Sequence, residues 1–213
     1  MSHLIHNLIY TIVSILALFT YSDCQDSINT NMIHNGFVAI ASGGLIYKNH
    51  NDHISDLIRN EYGFDSEGMI GGLNYGLGAR LGFQLSKTTG ISEYDKVIFD
   101  GEKRSQNINF GLCFGRLFYS QYIYVMPQLS VEWNYYVVNQ PQITNKNSYS
   151  KTFVEYPYGL TFYVPIHREV TKNYINAKCL GISVKTTNYG AGINNSSYYL
   201  GLTYSVVGWS FTK

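Results

Sequence analysis

Residues 69–86, MIGGLNYGLGARLGFQLS, alternate between large apolar and small or polar side chains along their whole length. The apolar members stand at odd positions: Met69, Leu73, Tyr75, Leu77, Leu81, Phe83 and Leu85. A period of two is typical of a β-strand, but an ordinary strand has only about five or six residues. The polar side carries a single charge, Arg80, whereas a soluble half-buried strand would expose several. The segment therefore predicts one long strand of a membrane-spanning barrel.

The composition also indicates a surface that water does not cover in the usual way. Charged residues make up 14% of the 213 residues, against roughly 25% in soluble domains. The net charge is +1 and no run of Lys or Arg occurs, so we expect no nucleic-acid partner. Beyond the N-terminus no apolar run has the length of a membrane helix, so insertion would have to use strands closed into a barrel.

The N-terminus has the features of an export signal. Residues 8–21 are apolar but shorter than the roughly 20 residues of a comfortable membrane helix, and small or polar residues follow them. We predict a signal peptide at 1–24, a short segment at 25–34 and a barrel domain at 35–213. Two alternatives remain open, which are acylation at Cys24 and an uncleaved anchor helix. Cys113 and Cys179 are expected to be buried free thiols, with a disulfide as the alternative.

Alternation elsewhere in the chain predicts the other strands. They cover 35–47, 56–64, 106–118, 122–138, 152–164, 173–185 and 198–211, and 56–64 is the weakest because Arg59 and Glu61 interrupt its pattern. Connections at 119–121 and near Pro165 are short, whereas 87–105, 139–151 and 186–197 are long. Short turns at one end and long loops at the other are typical of outer-membrane barrels. The predicted fold is all-β, a single antiparallel transmembrane barrel of about eight strands.

The predicted register assigns side chains to two surfaces. Aromatic residues toward the strand ends would form girdles at the membrane interfaces, namely Tyr119, Tyr122, Tyr135, Tyr156, Tyr198, Trp209 and Phe211. A polar network would fill the lumen, made by Arg80, Glu132, Glu155, Gln84, Gln128 and Asn109. Because an eight-stranded barrel is just wide enough to be filled by side chains, a plugged interior is favoured over a conducting pore.

Several of these segments together resemble a known family. They are YGLGARLGFQLS, NFGLCFGRLFYSQYIYVMPQLSVEW, FVEYPYGLTFYVP and the terminal YYLGLTYSVVGWSF. The chain resembles the small eight-stranded outer-membrane barrels of Bacteroidota, the PorT-like group, and more loosely the OmpA membrane domain. Gln128 departs from the family pattern, which often has Glu there, and Thr212 and Lys213 extend past the terminal aromatic residue. The resemblance implies an accessory role in protein export.

The chain offers little for catalysis. His50, Asp52, His53 and Asp56 fall together in the first long loop, but the partner carboxylates of an omptin-like protease are missing and solvated loop residues explain the group. His167 falls on a predicted periplasmic turn, on the wrong side for lipid A chemistry. We therefore predict no enzyme and no cofactor or metal. The expected partners are outer-membrane lipid, lipopolysaccharide and, during biogenesis, the barrel-assembly machinery.

Three functions fit these features. The first is a structural, adhesive or secretion-accessory role carried by extracellular loops. The second is a narrow porin. The third is a secreted lipocalin-like barrel, in which the same alternation would be reversed and an apolar ligand held inside.

Overall fold

The described part of the chain is built almost entirely of β-strands. The structure is a computed structural model that describes residues 36–50, 58–88, 92–94, 97–99, 102–120, 122–139, 148–171, 174–188 and 196–210. Its strands are β1 (Phe37–His50), β2 (Ile58–Gly72), β3 (Tyr75–Thr88), β4 (Ser92–Tyr94), β5 (Val97–Phe99), β6 (Arg104–Arg116), β7 (Phe118–Tyr119), β8 (Tyr124–Asn139), β9 (Ser148–Glu155), β10 (Tyr158–Val170), β11 (Tyr174–Asn188) and β12 (Ser196–Ser210). Within these residues no helix has the length and apolarity needed to cross a membrane.

The main sheet closes on itself. Each long strand pairs antiparallel with the next, and β12 returns to pair with β1. Strand β7 continues β6 along one side of β8, while β9 and β10 together make a single wall strand along the other side. The result is a ring of 8 antiparallel strands, so the predicted all-β barrel is confirmed. The small hairpin of β4 and β5 lies apart from this ring, in the connection between β3 and β6.

The strands are strongly staggered around the ring. One line of directly paired residues can be followed from strand to strand once around the barrel: Ala39, Ile70, Leu77, Phe114, Leu129, Tyr158, Thr186, Tyr198 and Asn49. The line starts at Ala39 and returns to β1 at Asn49, ten residues farther along. With strands about 4.8 Å apart and about 3.3 Å per residue, this stagger gives a tilt of about 41° and a backbone radius of about 8 Å. Such a tube has room for side chains but no wide channel.

Side chains alternate between the outside and the lumen along each wall strand. On β6 every second residue is buried from Ser105 to Gly115, and the residues between them are exposed. The exposed set is apolar in the middle of the strand, with Ile108, Phe110, Leu112 and Phe114. Cys113 points inward, and both it and Cys179 on β11 are buried free thiols, as predicted.

The prediction of one continuous strand over 69–86 is wrong. The segment contains the end of β2 and the start of β3, joined by a two-residue turn at Leu73 and Asn74, whose φ angles are 55° and 66°. Two positive φ angles are the signature of a type I′ hairpin, whose right-handed twist matches that of the strands. The turn also changes the alternation, because Met69 is buried and Ile70 is exposed, the reverse of the predicted orientation.

Other observed strands differ from the predicted ones in where they end and in the position of one turn. The strand predicted at 56–64 exists as β2 and extends farther, to Gly72. A register irregularity between Ile58 and Glu61 turns Ile58 inward. The predicted turn at Pro165 is wrong, because β10 continues to Val170 with an irregularity between Pro165 and His167. Proline is tolerated at such a point in a sheet. The predicted signal peptide at 1–24 and the segment at 25–34 lie outside the described residues.

Candidate functional site: the lumen and outer surface of the barrel

The end of the lumen nearest the short turns is filled by apolar and aromatic side chains. Trp209 is 2% exposed and lies edge-on to the rings of Tyr119 and Tyr124, at centroid distances of 5.3 and 6.3 Å. Its Nε1 donates a hydrogen bond of 3.1 Å to Oδ1 of Asn74 in the β2–β3 turn. The remaining members of this apolar plug are Val38, Ile40, Met69, Cys113, Leu117, Met126, Tyr163, Ile175, Ala177, Cys179 and Val207. They come from every wall strand except β3 and pack into one buried cluster inside the barrel.

Beyond the plug the lumen becomes charged, and Arg80 on β3 lies at its centre. Its guanidinium donates to Asp65 on the neighbouring strand β2 and, through one terminal nitrogen, to Oε1 of Glu132 on β8 at 2.9 Å. The guanidinium carbon lies 4.5 Å from the ring centroid of Tyr199, whose hydroxyl donates to Asp65 at 2.6 Å. Arginine suits this position because its planar group can bond two carboxylates and stack on an aromatic ring at once. Four strands are thereby held together.

A second polar layer lies toward the long loops. Nζ of Lys48 donates to both carboxylate oxygens of Glu155, each at 2.5 Å. The side-chain amide of Asn107 donates to Gln84 at 2.6 Å and to Asn134 at 3.0 Å, which joins β3, β6 and β8. These groups are buried, so each hydrogen bond satisfies a donor or acceptor that would otherwise lack water.

Ser197, His50 and Glu61 meet in the same layer. Oγ of Ser197 lies 2.9 Å from Nδ1 of His50, and Nε2 of His50 lies 3.5 Å from a carboxylate oxygen of Glu61. These residue types occur in hydrolase triads. Each of the three side chains is buried in the lumen, however, and is at most 1% exposed. Their arrangement joins β12, β1 and β2 at the end where the first long connection leaves the barrel.

Within the described residues the lumen contains more carboxylates than permanent cations. The cations are Lys48, Arg80 and Lys185, and the carboxylates are Glu61, Asp65, Glu67, Glu132 and Glu155. Lys185 lies 3.7 Å from Glu67 across the lumen. Beside this pair is a small polar cavity of about 20 Å³ that Arg80, Tyr199 and several hydroxyl side chains also line. A polar cavity of this size holds about one water molecule.

The structure places all six side chains of the expected lumenal network inside the barrel: Arg80, Glu132, Glu155, Gln84, Gln128 and Asn109. Arg80 and Glu132 are in direct contact, and Nδ2 of Asn109 lies 3.5 Å from Glu132. Gln128 lies closer to the short turns, where its side-chain amide is 3.5 Å from the sulfur of Met69 in the apolar plug. Glu155 is paired with a different cation, Lys48.

Sequence reasoning missed five of the eight charged side chains that line the lumen within the described residues. Asp65 and Glu61 lie on the strand with the weakest alternation, and Lys48 lies one residue past the predicted end of the first strand. Lys185 and Tyr199 could have been found, because they continue the lumenal alternation of Gly181 and Ser183 and of Gly201 and Thr203.

The expected interface aromatics fall into three groups. Tyr122 and Tyr135 are exposed near the ends of the wall, Tyr156 is exposed opposite the middle of β8, and Tyr198 is half-buried near the start of β12. Trp209 and Tyr119 differ from the expectation, since Trp209 lies inside the lumen and Tyr119 packs against the plug. Phe211 lies outside the described residues.

The outer surface is a continuous apolar belt. Outward positions from Leu77 to Leu85 on β3, from Ile108 to Phe114 on β6 and from Leu129 to Tyr135 on β8 carry no charged residue. On β3 the belt runs from Tyr75 to Leu85, and ten residues tilted by about 41° span about 25 Å along the barrel axis. This height equals the apolar band of membrane barrels. A large exposed apolar surface around a closed sheet that buries its charged side chains in the lumen is the surface of a barrel embedded in lipid.

No protein-family model matches the sequence. No curated protein matches it either. Among solved structures, the chain is similar to Ail, the attachment invasion locus protein of Yersinia pestis, with a TM-score of 0.48 and 14% identity over 80% of this chain and 97% of that one. It is also similar to Neisserial surface protein A, with a TM-score of 0.44 and 11% identity over 83% and 97% of the two chains.

A third similar structure is the outer membrane protein OprG from Pseudomonas aeruginosa, with a TM-score of 0.43 and 9% identity over 84% of this chain and 98% of that one. The identities are low, and the barrel architecture of this chain is established by its own strand pairing.

Proposed function

We propose that this protein is a non-enzymatic bacterial outer-membrane barrel whose lumen is closed and whose role is carried by its long extracellular loops. The role would be structural, adhesive or accessory to secretion, the last in keeping with the resemblance to the PorT-like group. The apolar belt supports membrane insertion by strands, and the asymmetry of the connections supports an orientation with the long loops outside. The belt also argues against a secreted lipocalin-like barrel, which would expose it to water.

The apolar plug is the observation that carries the closed-lumen part of this proposal. Trp209, Tyr124, Met126 and Leu117 are each at most 2% exposed and belong to one apolar cluster inside the barrel. An apolar layer of this kind excludes hydrated ions, because an ion crossing it would lose its water without gaining polar partners.

Planar-bilayer recording tests the closed lumen. We expect the folded protein to give no discrete conductance, and the double substitution Trp209→Ala and Met126→Ala to give one by emptying the plug. A matched control is Leu129→Ala, a large side chain on the outer face that should leave the lumen closed. Regular conductance steps in the unsubstituted protein would contradict the proposal.

A narrow pore is the second candidate. The observation on its side is the small polar cavity beside Arg80 and Lys185, which has room for about one water molecule in the charged part of the lumen. If the pore exists, substitution of Glu132 by Gln should change the cation preference of its conductance, since Glu132 contributes charge at the centre of the lumen.

The loop-borne role can be tested by exchanging loops on an intact barrel. The connections at 51–57, 140–147 and 189–195 would each be replaced by a short Gly-Ser segment, with all strands retained. We expect normal heat-modifiable migration on gels, but we expect the loop-exchanged protein to fail to restore the adherence, secretion or envelope integrity that a deletion strain lacks. An equivalent exchange in the turn at 172–173 is the control. Full complementation by the loop-exchanged protein would contradict a role for these loops.

A further inference from the structure

Two basic side chains lie directly opposite each other at the edge of the apolar belt. Lys87 at the end of β3 pairs in register with Arg104 at the start of β6, and both are exposed. They lie on the outward face, because Leu85 and Phe83 precede Lys87 on that face and Ile108 and Phe110 follow Arg104. This is the end of the barrel with the long connections.

A like-charge pair at directly opposed positions destabilises a sheet unless an anion lies between the charges. Within the described residues Nζ of Lys87 meets Oε2 of Glu102 at 3.2 Å, but both side chains are about two-thirds exposed, at 68% and 65%. An ion pair so exposed to water contributes little. Within the part of the chain that the structure describes, one carboxylate that contacts Lys87 therefore stands beside two cations, which leaves an excess of one positive charge at the belt edge.

We infer that Lys87 and Arg104 bind the phosphate of an anionic lipid in the outer leaflet, with its acyl chains lying on the belt below. The inference rests on the proposed membrane location and orientation. Cations at the boundary attract lipid phosphates, and Arg can hold a phosphate through two parallel hydrogen bonds. The apolar side chains of β3 and β6 below the pair form a continuous surface for the chains of the same molecule.

The probe is bisphosphorylated lipid A, compared with the same lipid after enzymatic removal of its phosphates. The protein would be folded into phosphatidylcholine nanodiscs containing a small fraction of either lipid, and bound lipid would be counted by native mass spectrometry. Insertion is verified first by heat-modifiable migration, so a protein that fails to insert contradicts the proposed function and not the lipid site.

We expect the phosphorylated lipid to be retained in preference to the dephosphorylated one. Lys87→Gln and Arg104→Gln should each weaken retention about fivefold, and the double variant about 25-fold, since each cation near a membrane surface contributes about a factor of five. Glu102→Gln should strengthen retention by removing the competing carboxylate. Inorganic phosphate at millimolar concentration should not displace the lipid, because it lacks the acyl chains that contact the belt.

Lys178→Gln is the matched control. Lys178 is an exposed outward cation on β11, at the opposite edge of the belt, so its loss should leave retention unchanged. Equal retention of both lipids, an unchanged double variant, displacement by inorganic phosphate, or the same loss in Lys178→Gln would each overturn the assignment of this site.

Discussion

Replacement of Arg80 by Met should destabilise the barrel more than almost any other single change in the lumen. The guanidinium is 1% exposed and bonds Asp65 and Glu132, which are 6% and 2% exposed. Methionine fills much of the same volume but leaves two buried carboxylates without their shared cation. Removing one partner from a buried ion pair typically costs about 3–5 kcal/mol, mainly because of the charge that stays behind.

Urea unfolding of the protein in lipid vesicles measures this effect. If the free energy of unfolding falls by about 2 kcal/mol per molar urea, the urea concentration at the unfolding midpoint should fall by about 2 M. The triple variant Arg80→Met, Asp65→Asn, Glu132→Gln removes the whole ionic group and should recover to within about 1 kcal/mol of the original stability. Lys87→Met breaks an exposed pair and should change stability by less than about 1 kcal/mol.

A loss of less than about 1 kcal/mol in Arg80→Met would contradict a structural role for this ion pair, since buried uncompensated charge should cost more than that. A triple variant no more stable than the single one would contradict it as well. In that case the destabilisation would come from lost packing and not from charge.

Three further changes probe the turn, the wall and the belt. Leu73→Asn should stabilise the protein by about 0.5–1 kcal/mol in urea unfolding, because Leu73 has a φ of 55° that asparagine adopts more readily; no gain would contradict the assigned turn. Gly78→Val should abolish the heat-modifiable folded form, since a Cβ at Gly78 would meet the carbonyl oxygen of Gly68, whereas Gly68→Ala has open space and should fold normally. Leu81→Arg, near the middle of the belt, should cost about 2–4 kcal/mol in vesicles, and an equally stable variant would argue against lipid at that position.

The sequence predicted the strands well where alternation was long and uninterrupted. The outward set Ile108, Phe110, Leu112 and Phe114 follows from β6 alone, because successive side chains of a strand must face opposite sides. The strand prediction failed at Leu73 and Asn74, since leucine is not a residue that signals a type I′ turn and the apolar alternation in the sequence continues across the turn. The strand prediction failed at Pro165 because a proline normally ends a strand, whereas a local irregularity accommodates Pro165 within β10.

The lumenal network was predictable only in part, because alternation along one strand does not say which side chains of other strands it will meet. The sequence assigned Arg80 and Glu132 to one lumen but could not pair Glu155 with Lys48, which is 107 residues away along the chain. It also assigned Trp209 to the outer surface, although the indole fills the plug and bonds Asn74.

The sequence by itself determined which kind of surface a strand with uninterrupted alternation, such as β6, presents to either side, because that property depends only on neighbouring residues along one strand. The ten-residue stagger between Ala39 and Asn49 was decided by the tertiary structure alone. Closure requires eight strands to pair in one consistent register while side chains from all of them share a tube about 8 Å in radius. That shared packing decides which charges meet and which aromatic side chains close the lumen.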